Sequence, residues 1–146
     1  MEWTDDKISK FLTLSGDQEC IEDRLHRLAH VYWEMGQAHN KAVILEAEIK
    51  QEITDKADEL KDTKAEVFLK ILEAADKKPS DSVMEASVAN NPQVKKLRDA
   101  AKNLEVDLLN AQNVKYALAN TLKALDIFKE TLRECSRGLS AERWSQ

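Results

Sequence analysis

Helix-breaking residues are almost missing from this chain, with three glycines and two prolines among 146 residues. So few turn formers exclude a protein built from many short strands and leave room for long helices. Aromatic residues make up only 5% of the chain, so any core must be aliphatic. No run of about 18 apolar residues occurs, which excludes a membrane-spanning helix. The two cysteines, Cys20 and Cys135, lack the spacing of a metal site. The opening "MEWTDDKISKF" is acidic and has no apolar stretch, so no signal peptide is expected. A reduced, cytoplasmic compartment follows as the default. No glycine-rich phosphate loop and no Ser/His/Asp set is present. His26 and His30 stand four apart but have no third ligand at a convincing spacing. No catalytic residue, metal or cofactor is therefore expected.

What the chain does have is helical periodicity. Hydrophobic residues are 42% and charged residues 34%, a globular or coiled-coil balance. Ile21, Leu25, Leu28, Tyr32, Met35, His39, Val43, Glu46, Ile49, Ile53, Ala57 and Leu60 recur in steps of three and four. Val94, Leu97, Ala101, Leu104, Leu108, Ala111, Lys115, Leu118, Leu122 and Leu125 do the same, and the seam then shifts through Phe128 and Leu132 to Cys135. Helices over 17–60 and 92–138 are expected, after a short helix within 1–16 and before a polar tail at 139–146. Thr63-Lys64-Ala65-Glu66 and Ser82-Val83-Met84-Glu85 have the form of capping boxes. The first would start a short helix with Ala65, Phe68, Leu69, Leu72 and Ala75 inward, ended by Pro79. Asn91 and Pro92 have the form of an N-cap and a first helical residue. Gly138 has the form of a left-handed stop.

Each long helix would reach about 65–70 Å at 1.5 Å per residue, too long for one compact layer. The expected fold is therefore all-α: a single domain forming a long antiparallel hairpin, with short helices over 61–91 at its tip. Facing positions should have numbers that sum to roughly 152–155, which sets Cys20 opposite Cys135 and His39 near Tyr116. Cys135 would then be a buried thiol. Tyr32, Trp33 and Tyr116 are expected in the core or against another subunit.

Charge is uneven. Residues 1–60 hold 7 Lys/Arg against 14 Asp/Glu, residues 61–102 hold 9 against 7, and residues 103–146 hold 6 of each. The middle is the positive part of a chain with net charge −5. Lys61, Lys64, Lys70, Lys77, Lys78, Lys95, Lys96 and Arg98 gather there and are candidate nucleic-acid contacts, although runs of lysine are also common on solvated helix ends. On another face of the last helix, Val106, Asn113, Ala117, Asn120, Ala124 and Ile127 repeat the helical step. These are small or amide residues rather than Lys and Glu. They are the expected interface of a homo-oligomer, with Asn fixing register; the alternative is that the short helices fold back and cover them.

Several stretches carry a resemblance: the break "LKDTKAE", the piece ending "NPQVKKL", the helix "YALANTLKALDIFKETL" and the arginine-bearing end "RECSRG". Over residues 25–138 this order resembles the UvsY-type recombination mediators of phages. The resemblance implies an all-helical ring with DNA contacts just after the first long helix, here Lys61 and Lys64. It also implies partners: single-stranded DNA, a recombinase and the single-strand-binding protein. The functional expectation is a recombination mediator that binds single-stranded DNA as an oligomer and assists recombinase loading. The rival is a non-catalytic coiled-coil scaffolding or chaperone protein that binds only protein.

Overall fold

The computed structural model describes residues 21–145, with side chains described for 23–138. The described chain is three helices: α1 (Ile21–Ala74), α2 (Asp81–Asn90) and α3 (Pro92–Ser145). No strand occurs among the described residues. The all-α expectation stands. The expected helix within 1–16, the start near Asp17 and the pairing of Cys20 with Cys135 lie outside the described residues.

The expected break at Thr63 is corrected, because α1 runs unbroken through Lys61 and Lys64 to Ala74. No glycine or proline lies between Gly36 and Pro79, and Thr63, Val67 and Ile71 continue the inward seam at the same spacing. A Thr-x-x-Glu pattern caps only where amides are free, and here they stay inside the helix. Pro79 supplies the real stop. In a helix its ring would strike the carbonyl of Ala75, and it disfavours helical backbone at Lys78.

Two side chains punctuate the return. Ser80 caps α2 from extended backbone, and its hydroxyl accepts from the Val83 amide at 3.4 Å. Ser82 therefore lies inside the helix it was expected to open. Asn91 serves two helices. Its own amide donates to the Val88 carbonyl to close α2, and its Oδ1 accepts from the amides of Gln93 at 2.9 Å and Val94 at 3.4 Å. Pro92 then takes the first position of α3, where a missing N–H costs nothing. Gly138 does not stop α3, which continues to Ser145 without a positive φ at any described glycine.

The chain divides into two compact units, Met1–Ala42 with Val114–Gln146 and Val43–Asn113. In the first unit, the early part of α1 packs antiparallel on the late part of α3. Leu28, Val31 and Met35 meet Leu125 and Leu132, and Leu25, Tyr32, Leu118, Leu122 and Phe128 close around them. A buried side chain of this size contributes about 1.5–3 kcal/mol. The cluster therefore outweighs the long 3.5 Å bond from the Tyr32 hydroxyl to Asp126. That bond still reports register. The expected register faces Tyr32 with residues 120–123, so the observed partner lies about one turn further along. The seam has also moved: Val31 is buried, while Cys135 is exposed and free rather than on the core side.

In the second unit, the later part of α1, α2 and the first part of α3 enclose Ile49, Val67, Met84, Val94 and Ala111. Val43, Ala57, Ala65, Phe68 and Leu69, expected inward, are exposed instead. Glu46 is buried, with Lys50 Nζ at 2.9 Å and the Gln112 amide at 3.4 Å from its Oε1. The expected register faces Glu46 with 106–109, so here too the observed partner lies further along α3.

Candidate nucleic-acid interface

All eight candidate basic residues fall in the Val43–Asn113 unit, on three kinds of backbone. Lys61, Lys64 and Lys70 ride the last turns of α1, Lys77 and Lys78 sit in the connection before Pro79, and Lys95, Lys96 and Arg98 follow the Asn91 cap. Seven are exposed and Arg98 is half-buried. Lys61 and Lys64, three apart in a helix, share a face. Lys70 points elsewhere, since six residues amount to about one and two-thirds turns. None of the eight has a hydrogen-bond or ion-pair partner among the described residues. That is uncommon company for a cation next to so many carboxylates: Asp62, Glu66, Glu73, Asp76, Asp81, Glu85 and Asp99 are all exposed nearby in sequence.

The structure brings two of the eight together across helices. Lys64 of α1 and Arg98 of α3 line one groove of about 490 Å³ with Phe68, Met84, Asp81 and Glu85. Lys61, Lys70, Lys77, Lys78, Lys95 and Lys96 do not line it. Phe68, Met84 and the α2 carboxylates were not among the expected site residues: Phe68 was read as an inward residue and Met84 and Glu85 as part of a capping box. Phe68 stands four residues after Lys64, a spacing that places both on one helix face. Only the position of α2 turns that face into a groove.

The second set, on α3, is exposed throughout. Val106, Asn113, Ala117, Asn120, Ala124 and Ile127 all face solvent in the single chain, Ile127 at 70%. Leu109 and Tyr116 are exposed apolar residues of the same helix that the six omitted. Tyr116 carries the Lys115 ammonium 5.2 Å from its ring centre. Trp33 is exposed too, while Tyr32 is half-buried beneath Lys129.

His30 pairs with Glu34 at 3.0 Å. Among the described residues no three His, Cys, Asp or Glu side chains gather as metal ligands would. Nor is any described helix long and apolar enough to cross a membrane. No protein-family model, curated protein or solved structure matches the chain.

Proposed function

We propose that this chain is a non-catalytic, self-associating protein that holds single-stranded DNA on the basic residues of its Val43–Asn113 unit. On this reading it assists recombinase loading on strands covered by their binding protein, in the cytoplasm of a host cell. One observation carries the DNA contact: eight cationic side chains left without any protein partner among the described residues. Cations held in ion pairs would have to break them before meeting phosphate, and these do not. The order of segments over 25–138, which resembles the phage mediators, supports the recombination setting.

The chemistry is electrostatic. Each phosphate neutralised releases counterions and adds about 0.7 to the salt slope for a single strand. One chain carries a weak excess, 9 Lys/Arg against 7 Asp/Glu over 61–102, so several copies are needed to make a strong site.

Fluorescence anisotropy of a labelled oligonucleotide, titrated at several salt concentrations, tests the reading. Lys61→Glu with Lys64→Glu should nearly abolish binding and leave helicity intact, because exposed substitutions rarely cost more than about 0.5 kcal/mol. A double variant with unchanged affinity and salt slope would remove this pair from the site. A wild type that binds no strand would favour the second reading, a helical scaffold or chaperone for protein partners only. The exposed apolar and small residues of α3 are what favour that alternative.

A further inference from the structure

The groove shared by Lys64 and Arg98 contains more than a phosphate needs. It has two cations, two carboxylates on α2 (Asp81 and Glu85), and an apolar lining that includes Phe68 and the buried Met84. None of the four charged groups is ion-paired among the described residues. A site for phosphate alone would exclude the carboxylates, which repel it. A site for an apolar anchor alone has no use for four unpaired charges. An unstacked nucleobase uses all three kinds of group. Its ring stacks on an aromatic face, its flanking phosphates meet cations, and its amino groups donate to carboxylate oxygens. Phe68 is 40% exposed, so its ring can be reached from solvent. The groove's volume of about 490 Å³ falls within the range of roughly 300–1,000 Å³ common for small-molecule sites.

We propose that this groove holds one unstacked base of a bound single strand against Phe68, and that Asp81 and Glu85 favour bases bearing an amino group. The proposal rests on the single-strand reading above and adds base contact and base preference to it. Lys64 and Arg98 hold the phosphates on either side of the inserted base. Cytosine offers its N4 amino group to the α2 carboxylates, whereas thymine has a carbonyl oxygen at that position and presents an acceptor to an acceptor.

The test compares three labelled strands of equal length on the full chain: oligodeoxycytidylate, oligodeoxythymidylate and an abasic sugar-phosphate strand. The wild type should bind them in that order of decreasing affinity. Phe68→Leu keeps the apolar filling but loses the π face. It should weaken oligodeoxycytidylate about tenfold, within what stacking one base is worth, and leave the abasic strand unchanged. Phe68→Trp should restore binding. Glu85→Ala should bring the cytidylate and thymidylate affinities together. The strand comparison needs no variant, so it stands even where a substitution disturbs folding. If wild type binds the cytidylate and abasic strands equally, the base site is wrong while the electrostatic reading survives. Strand binding that Phe68→Leu leaves untouched has the same meaning and hands the groove to an apolar protein side chain. If wild type binds none of the three, the single-strand reading itself fails and takes this proposal with it.

Discussion

Glu46 shows how one side chain can be both structural and replaceable. It is 6% exposed in a helix seam made mostly of apolar residues, and Lys50 and Gln112 reach its Oε1. Lys50 is itself 57% exposed, so solvent screens much of that ion pair. Lys50→Ala should therefore cost no more than about 1 kcal/mol in urea unfolding. Glu46→Leu should be neutral or stabilising, because it removes the buried charge and leaves behind only Lys50, which is exposed and solvated rather than a buried unpaired ion. A loss above about 3 kcal/mol for Glu46→Leu would show that the carboxylate supports the fold itself. The sequence placed Glu46 on the seam from spacing alone. It did not find Val31 or Ala42 there, because between Leu28 and Met35, and between Met35 and Glu46, a step of three can precede or follow a step of four and the helical period fits both. Val43 and Tyr32, the bulkier neighbours, drew the reading off by one position. The same ambiguity accounts for Cys135: a step of three from the buried Leu132 reaches it, but it is exposed, and Ser136, a step of four away, is half-buried.

Among the elements, what decides a helix end is whether the backbone must break, and short motifs answer that badly. Asn91-Pro92 was legible, since proline cannot continue α2 and suits the first turn of α3. The Thr63 box looked equally good, yet nothing around it forbids a helix. The two sites should therefore respond oppositely to alanine. Asn91→Ala removes the acceptor for the amides of Gln93 and Val94 and should cost about 1 kcal/mol. Thr63→Ala lies inside α1, where alanine is the better helix former, and should be neutral or stabilising by a few tenths of a kcal/mol. Thermal melts followed by circular dichroism separate these outcomes, and a comparable loss at Thr63 would mean that α1 does break there. Gly36 gives a third check. It lies in α1 at negative φ, and a Cβ added to it would meet nothing within 4 Å. Gly36→Ala should raise stability by about 0.5–1 kcal/mol. The groove was not legible at this scale. Lys64, Phe68 and Arg98 could be assigned to helices, but their convergence with Asp81 and Glu85 depends on where the chain turns, and α1 ends at Ala74 rather than at the expected break at Thr63.

At the scale of the whole molecule, charge and assembly pull in opposite directions, which makes them separable. A chain of net charge −5 is a poor ligand for a polyanion, and its local basic excess is small. Copies of the chain arranged about a closed symmetry would repeat that excess along one strand without lengthening it in any single copy. The residues proposed to hold copies together in the Val114–Gln146 part are Ala117, Asn120, Ala124 and Ile127, all exposed in the single chain. Small residues at Ala117 and Ala124 permit close approach of a second helix, and an arginine there would fill that space with a charge. Ala124→Arg should convert the proposed oligomer to a species near the chain mass of 16.6 kDa by multi-angle light scattering, with helicity retained because the site is exposed. It also adds a positive charge. If each copy bound DNA alone, that charge would tighten binding and steepen the salt slope. If binding depends on assembly, the variant should bind a long oligonucleotide more weakly than wild type despite its extra cation. Tighter binding by a dissociated variant would therefore overturn the proposed dependence on assembly, and a wild type that already scatters as one chain would overturn the oligomer.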